Sequence, residues 1–198
     1  AAYAFERGAS EIVLVGEVDE AFALRRRWPD ALLMGEVGGR RVDGFDFGNS
    51  PSVIAQQDLR SKRLIQRTSA GTQGVVNARD ADEIVLGSLV CAGAIVNYIQ
   101  ARAPQSVSIV AMGYAAEEKA VEDEACAELL EARLRGETID VRPLIEHVLR
   151  DPQTEHFTGD SPDMPRADVD YCLRVDAFDF VMVVERGDGL LVARRWEA

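Results

Sequence analysis

Two features of the sequence predict an α/β fold with a mixed, mostly parallel sheet. Short apolar runs that end at glycine or at a polar residue alternate with segments of helical periodicity along most of the chain. Two further apolar runs, in residues 180–196, flank the turn Gly-Asp-Gly, which is typical of a β-hairpin. Alternating strands and helices usually form a parallel sheet with helices on both faces. We therefore expect a three-layer α/β/α domain in which the hairpin adds an antiparallel edge.

The expected elements follow one another in a regular order. Each expected strand is a short apolar run that ends at a polar turn; these runs are residues 11–16, 31–36, 62–68, 83–88 and 106–113. Each expected helix has apolar residues at helical spacing; these segments are residues 18–28, 89–102, 115–136, 140–151 and 166–178. Arginines in the last turn of the first helix suit its dipole, and Gly136 suits the end of the third. Long loops are expected over 37–50 and 152–165.

The totals indicate one globular domain over residues 1–198. Hydrophobic residues make up 47% and charged residues 28% of the chain, which is an ordinary globular composition. The net charge of −12 disfavours nucleic acid and acidic membrane surfaces as partners. Three cysteines without short spacing indicate neither a disulfide framework nor a zinc site, so a reduced, cytoplasmic protein is expected. No apolar run approaches ~20 residues, the length of a membrane span. The oligomeric state is open, with a homo-oligomer as one option.

Polar turns follow four of the expected strands. In open α/β sheets, ligands bind beyond the carboxyl ends of the strands, so these turns are expected to meet at one site. The turns are Gly35–Glu36, residues 68–72, Gly87–Ser88 and Gly113–Tyr114.

Two glycine-containing loops, GFDFGNSPS at residues 44–52 and RTSAGTQG at 67–74, have the composition of an oxyanion site. Their hydroxyl, amide and backbone N–H groups are suitable donors for a phosphate. The expected phosphate-binding residues are Asn49, Ser50, Thr68, Ser69, Gly71, Thr72 and Ser88. Helix capping is the competing interpretation for both loops: Asn49 or Ser50 would cap a helix that begins at Pro51. Neither a P-loop nor a dinucleotide-binding glycine motif is present.

Four carboxylates are candidates for catalysis or for binding a hard cation such as Mg²⁺. The expected metal ligands are Glu36, Glu122 and Asp123, and the expected catalytic residues are Asp123, Glu122 and Asp46. A position at the boundary of an apolar helix face is the competing interpretation for Glu122. Four arginines could neutralise an anion, although arginines at strand ends are usually solvated: Arg67, Arg186, Arg194 and Arg195. Cys91 is expected in the core rather than as a nucleophile, and no nucleophile motif of the G-x-S-x-G type is present.

Taken together, GFDFGNSP (residues 44–51), TSAGT (68–72), GS…CAGA (87–94) and EDEACA (122–127) resemble the 2-phosphosulfolactate phosphatase family. The pair Gly35–Glu36 fits the same pattern, and the resemblance covers most of the chain. It implies a three-layered α/β/α fold and a Mg²⁺-dependent phosphatase. The implied substrate is 2-phospho-3-sulfolactate, a small anionic phosphate ester, and the product 3-sulfolactate lies on the route to coenzyme M.

The chain departs from the family pattern at three places. The family has a strand and turn similar to Asp-Val-Leu-Arg-Ala-Thr-Thr before the helix with which this sequence starts, so we expect the domain to lack its N-terminal strand. Ala70 and Val37 stand where the family often has Asn and Arg. These two differences bear on the sulfonate of the substrate more than on phosphatase chemistry. Two alternatives are therefore kept: a phosphatase for another small phosphorylated acid, and a non-catalytic anion-binding domain.

Overall fold

The computed structural model describes residues 1–114, 118–156 and 161–197, and its centre is a seven-stranded mixed sheet. The strands are β1 (Glu11–Leu14), β2 (Leu32–Val37), β3 (Arg40–Arg41), β4 (Arg63–Arg67), β5 (Ile84–Val85), β6 (Phe180–Gly187) and β7 (Leu190–Glu197). Their order across the sheet is β3-β2-β4-β1-β7-β6-β5. The prediction of an α/β fold with a mixed sheet is confirmed.

Eight α-helices are present among the described residues. They are α1 (Ala2–Glu6), α2 (Val18–Arg27), α3 (Pro51–Ile54), α4 (Gly71–Asn77), α5 (Ala92–Arg102), α6 (Val121–Leu134), α7 (Val141–Arg150) and α8 (Ala167–Cys172). Two 3₁₀ turns complete the list, Leu89–Cys91 and Pro152–His156. Two expectations lie partly outside the described residues: the start of the predicted helix 115–136, at 115–117, and positions 157–160 of the predicted loop.

The expectation of a mostly parallel sheet is wrong. Only β1 with β4 and β2 with β4 are parallel, whereas four pairs are antiparallel: β1 with β7, β6 with β7, β5 with β6, and β2 with β3. The hairpin is also not an edge, because β7 lies directly beside β1. Its Asp188–Gly189 turn has positive φ at both residues (51° and 76°), as the tight turn of a two-residue hairpin requires.

The predicted strand at residues 106–113 is not a strand in this structure. The segment has no ladder partner, and Val107, Ile109 and Val110 are exposed. A local apolar pattern is not sufficient for a strand, because the backbone also needs a neighbouring strand to pair with. The position beside β1 is filled by β7, whose residues Leu191–Ala193 face β1 in register.

Two apolar clusters cover opposite faces of the sheet around β1. Ile12 and Leu14 belong to the larger cluster, which includes residues of α1, α3 and α5, whereas Val13 and Val15 belong to a smaller cluster with residues of α2. Alternate residues of a strand point to opposite faces, so both faces of β1 are covered. If the domain lacks its N-terminal strand, apolar surface beside residues 11–15 is expected to be exposed or to be covered by a partner chain. In this structure that surface is not exposed, because β1 is buried throughout between β4 and β7 of the same chain. The three-layer arrangement and the single domain without an N-terminal strand stay predictions.

Candidate functional site

The hydroxyl loop (residues 68–72) follows β4 and begins α4. The Thr68 backbone N–H donates to Oγ1 of Thr72 at 2.8 Å, and the Thr72 N–H donates to Oγ1 of Thr68 at 3.0 Å. The Thr72 hydroxyl in turn donates to the Thr68 carbonyl at 2.9 Å. These reciprocal bonds fix the turn, and both threonines are buried. The Thr72 hydroxyl is therefore engaged within the loop, while the Thr68 hydroxyl accepts a bond but donates none to the described residues. Gly71, the first residue of α4, is exposed.

Glu36 joins the end of β2 to the hydroxyl loop. Its carboxylate accepts hydrogen bonds from the Ser69 backbone N–H at 2.6 Å and from the Ser69 hydroxyl at 2.9 Å. It also accepts from the N–H of Gly39 at 2.8 Å. The Ser69 hydroxyl accepts from the N–H of Gly38 at 2.9 Å. The expected meeting of Glu36 with the hydroxyl loop is therefore present, although both carboxylate oxygens are already engaged by loop donors.

Arg67 occupies the last position of β4 and faces the same cluster. Its Nε donates to the carbonyl of Gly16, just after β1, at 3.2 Å, and its Nη1 donates to the carbonyl of Glu36 at 3.1 Å. Gly35 lies opposite Arg67 across the β2–β4 pair, with φ of +138°. A Cβ at Gly35 would lie 1.8 Å from the Arg67 carbonyl oxygen, so only glycine permits this close approach of the two strands.

The second glycine loop reaches the same end of β4 through Asn49. The Gln66 side chain, one residue before Arg67, donates to Oδ1 of Asn49 at 3.2 Å. This leaves the Asn49 amide N–H groups without a partner among the described residues. The structure thus brings Asn49 and the hydroxyl loop to one end of the sheet, as the sequence predicts.

Ser50 acts as a helix cap, as the competing interpretation of this loop predicts. Its hydroxyl accepts from the N–H of Val53 at 3.3 Å, and Pro51 is the first residue of α3. The same hydroxyl donates to the buried carboxylate of Asp168 in α8 at 2.7 Å. Asp168 also accepts from the hydroxyl and the N–H of Ser52, at 2.6 and 2.9 Å. The Ser50 hydroxyl therefore both donates and accepts a structural hydrogen bond, so its proton is not available to a phosphate.

Asp46 lies apart from the hydroxyl loop. Its carboxylate accepts from Nη1 of Arg25, on α2, at 2.7 Å and from the N–H of Leu33 at 2.8 Å. The neighbouring Phe45 belongs to the apolar cluster of α2. Both bonds tie the loop to the helix and to the early part of β2. The structure thus gives Asp46 an anchoring position rather than a place beside the other candidates.

Glu122 and Asp123 lie in the first turn of α6. Asp123 accepts from the N–H of Gly113 at 2.8 Å. Met112, the residue before Gly113, packs closely on Gly74 of α4. A Cβ added at Gly74 would lie 2.3 Å from the Met112 sulfur. Asp123 is therefore linked through the 112–113 segment to the helix that follows the hydroxyl loop.

The electrostatic surroundings of Glu122 are unfavourable for its charged form. Loss of hydration raises the pKa of Glu122, and the charges of Asp123 and Asp151 act in the same direction. A cation bound nearby would favour ionisation of this group.

The three expected metal ligands do not form a cluster. Among residues 1–114, 118–156 and 161–197, no group of three or more His, Cys, Asp or Glu side chains is placed to hold a metal ion. Glu36 bonds the hydroxyl loop, and consecutive residues of a helix such as Glu122 and Asp123 do not face each other. A cage of protein ligands alone therefore does not fit. A Mg²⁺ ion held by one carboxylate, water and substrate oxygens fits the residues present.

Ser88 is far from the hydroxyl loop. It follows the edge strand β5, and three strands separate β5 from β4 in the sheet. Its buried hydroxyl oxygen has no hydrogen-bond partner within the described part of the chain. The nearby Cys91 is fully buried, as expected for a core residue, and burial raises the pKa of its thiol.

Three residues that position the site were not singled out from the sequence: Arg25, Gln66 and Asp168. Each acts on a residue distant in the chain, and Asp168 is 118 positions from Ser50. An acidic residue in the first turn of a short helix has an ordinary explanation in the helix dipole, so no local signal marked Asp168.

The chain is similar in sequence to a family of known proteins. A sequence profile described as 2-phosphosulpholactate phosphatase matches residues 1–187. The chain belongs to this family. It is similar to the Bacillus subtilis (strain 168) protein named "Probable 2-phosphosulfolactate phosphatase", with 32% identity over 93% of this chain and 81% of that relative. A relative of the same name from Caldicellulosiruptor saccharolyticus is 31% identical over 93% of this chain and 85% of its own length.

The similarity to another relative is shorter. The Synechocystis protein of the same name is 33% identical over 70% of this chain, and the matched region spans 58% of its length. The 2-phosphosulfolactate phosphatase family consists of phosphoric monoester hydrolases, as its name states.

Proposed function

We propose that the protein hydrolyses 2-phospho-3-sulfolactate to 3-sulfolactate and inorganic phosphate with Mg²⁺ as cofactor, as a step towards coenzyme M. One structural observation supports the proposal beyond family membership. Hydrogen-bond donors without a partner among the described residues lie at the end of β4 and in the loop bonded to Gln66. They are the amide of Asn49, Nη2 of Arg67 and the hydroxyl of Thr68, none of which donates to another described residue.

These donors suit the charge that develops during phosphate transfer. Water attacks phosphorus, the bond between phosphorus and the C2 oxygen breaks, and a proton from the attacking water ends on that oxygen to form the hydroxyl of 3-sulfolactate. Negative charge is spread over the phosphoryl oxygens in the transition state. Fixed N–H and O–H donors stabilise that charge without reorganising. The network of Glu36, Ser69, Thr68 and Thr72 holds the backbone of the hydroxyl loop in place beforehand.

Asp123 is the carboxylate that we assign to Mg²⁺. Mg²⁺ keeps several waters and needs only one or two carboxylates, so a single side chain with substrate oxygens is sufficient. When bound, the ion would neutralise part of the phosphate charge and polarise the phosphoryl oxygens. Glu122, next to Asp123, is the second candidate for proton transfer or for the ion. A cytoplasmic location is part of the proposal. Among the described residues, no helix has the length and apolarity needed to cross a bilayer.

The test is phosphate release by wild type, Asp123→Asn and Glu128→Gln across a Mg²⁺ titration. Asp123→Asn keeps the shape of the side chain and removes its charge, so kcat should fall by roughly 10²-fold or more. Glu128→Gln removes the same charge from an exposed position on α6 and should leave kcat unchanged. Activity in excess chelator would contradict the metal assignment. Full activity of folded Asp123→Asn would remove this residue from the site.

A different small phosphorylated acid is the second candidate substrate. Ala70 and Val37 stand where the family often has an amide and a cation, so fewer groups are available for the sulfonate. A panel of phosphorylated hydroxy acids with and without a sulfonate separates the two substrates. A higher kcat/KM for the sulfonated ester than for the other esters supports 2-phospho-3-sulfolactate as the substrate.

A further inference from the structure

Arg67 is the last residue of β4, the central strand of the parallel part of the sheet. Its strand, β4, lies between β1 and β2, and all three strands run in the same direction. The guanidinium group joins their ends, because Nε donates to Gly16 after β1 and Nη1 donates to Glu36 in β2. These two bonds hold the group at the carboxyl edge of the sheet, where ligands of open α/β sheets bind.

The positive charge of Arg67 has no carboxylate partner in the described part of the chain. Its hydrogen bonds go to two carbonyl oxygens and, at 3.4 Å, to the Ser69 hydroxyl. No ion pair among the described residues includes it. A guanidinium has five N–H donors, and the two on Nη2 are used by none of these bonds. A half-buried cation without a counter-charge is unfavourable unless a ligand supplies that charge.

The other arginines considered from the sequence have different surroundings. Arg194 pairs with Glu11 and Glu185, both at 2.7 Å. Arg195 bonds Glu197 at 2.9 Å. Arg186 is exposed and donates to carbonyls in the turn before β5. Among these four, only Arg67 is held beside the hydroxyl loop.

The carboxylate of Glu36, which is connected to Arg67 through the Ser69 hydroxyl, does not bond the guanidinium group. It accepts bonds from the backbone N–H and the hydroxyl of Ser69 and from the N–H of Gly39. The Ser69 hydroxyl therefore lies between the guanidinium of Arg67 and the carboxylate of Glu36. The N–H groups on Nη2 of Arg67 remain available to a ligand. In a chain with a net charge of −12, a fixed guanidinium with free donors is a specific feature for attracting an anion.

We propose that Nη2 of Arg67 binds an oxyanion group of the substrate, either the phosphoryl or the sulfonate group. The planar fork of a guanidinium matches two oxygens of such a group and gives charge-assisted hydrogen bonds. The inference rests on the proposed function, since it assigns a role within the same site. It adds a specificity-determining cation to the hydroxyl, amide and backbone N–H donors of the two glycine loops.

Kinetics with two substrates test the assignment and identify the bound group. The variants are Arg67→Gln, Arg67→Lys and, as a control with the same charge change, Arg26→Gln in the exposed part of α2. The substrates are 2-phosphosulfolactate and 2-phospholactate, which lacks the sulfonate. Losing a hydrogen bond to a charged group should lower kcat/KM by roughly 10- to 100-fold in Arg67→Gln.

The changes in kcat and KM show whether Arg67 binds the phosphoryl group or the sulfonate group. If Arg67 binds the phosphoryl group, kcat falls for both substrates. If it binds the sulfonate, KM rises for 2-phosphosulfolactate alone, because a contact to a non-reacting group contributes equally to ground state and transition state. Arg67→Lys keeps the charge without the fork and should show a smaller loss of the same kind. It decides the question if Arg67→Gln does not fold. Unchanged constants for both substrates in a folded variant overturn the proposal.

Binding without turnover separates this inference from the proposed function. Calorimetric titration with inorganic phosphate and with methanesulfonate should show weaker binding of one of them by Arg67→Lys than by wild type and Arg26→Gln. Wild type that binds phosphate through Arg67 but hydrolyses neither ester contradicts the proposed function and supports the oxyanion site. Equal affinities of wild type and Arg67→Lys for both anions overturn the site itself, whatever the activity.

Discussion

The two ends of β4 each have an arginine, and the two arginines differ in how their charge is neutralised. Arg63, at the start, pairs with the buried carboxylate of Glu11 and lies 4.1 Å from the centre of the Trp28 ring. Glu11 also pairs with Arg194 at 2.7 Å. Arg67, at the far end, bonds only uncharged oxygens. Charges at the first end are neutralised within the chain and stabilise the fold, whereas the second end has a positive charge available to a ligand.

The largest effect is expected at Gly35, which sets the distance between β2 and Arg67. Gly35→Ala would place a Cβ 1.8 Å from the Arg67 carbonyl at a φ of +138°. We expect it to lower the free energy of unfolding by about 3 kcal/mol or more, because both backbone strain and a collision must be relieved. Chemical denaturation measures the loss. Gly38→Ala is the control, since its φ is also positive but no atom lies within 4 Å of the added carbon. Equal losses for the two variants would contradict the close approach.

A smaller loss of stability is expected at Asp168, which anchors the turn that contains Asn49, near the Arg67 end of β4. Asp168→Asn removes the charge that accepts from Ser50 and Ser52, so we expect a loss of about 1–3 kcal/mol in unfolding free energy. Asp170→Asn, on the exposed side of the same helix, should be neutral. The same two variants compared by kcat/KM show whether the anchored turn affects turnover. A neutral Asp168→Asn would show that the turn is held by other contacts.

The smallest effect is expected at an ion pair remote from both ends, Asp176 with Arg133. The hydrogen bonds from Arg133 lower the pKa of Asp176, against a partial burial that acts in the other direction. A lowered pKa in the folded state stabilises the protein above the unfolded pKa of about 3.9, and this contribution is lost as pH falls through the lower folded value. Since the Asp176 side chain is 42% exposed, Asp176→Asn should cost only about 0.5–1 kcal/mol at neutral pH. Melting curves at pH 7 and below pH ~4 should show the difference shrinking. A constant difference would contradict the role of the charge.

The sequence predicts the parallel part of the sheet better than the rest. Residues 11–16, 31–36 and 62–68 are apolar runs joined through helical segments, and the rule that ligands bind at strand ends places Glu36 beside the hydroxyl loop. The segment 106–113 has the same local pattern and is not a strand. Strand formation depends on which neighbour is available, and β7, from the far end of the chain, occupies the place beside β1.

The partners of the site residues were less predictable than the residues themselves. Asp46 is expected in the site because it lies between two aromatic residues in a glycine loop, but its partner, Arg25, is on α2, whose buried apolar residues belong to the smaller cluster. Ser50 was expected to bind phosphate, but its partner, Asp168, is remote in sequence. Such pairings depend on tertiary packing and have no local signal in one sequence.

The most direct test of the difference between the two ends is a paired measurement on Arg63→Gln and Arg67→Gln. Each variant is measured for unfolding free energy and for kcat/KM with 2-phosphosulfolactate. We expect Arg63→Gln to lose stability, because it removes a partner of the buried Glu11, and to keep its activity. We expect Arg67→Gln to keep most of its stability and to lose kcat/KM by roughly 10- to 100-fold. Arg67→Gln with full activity and a large loss of stability would contradict the account, because Arg67 would then be a structural residue like Arg63.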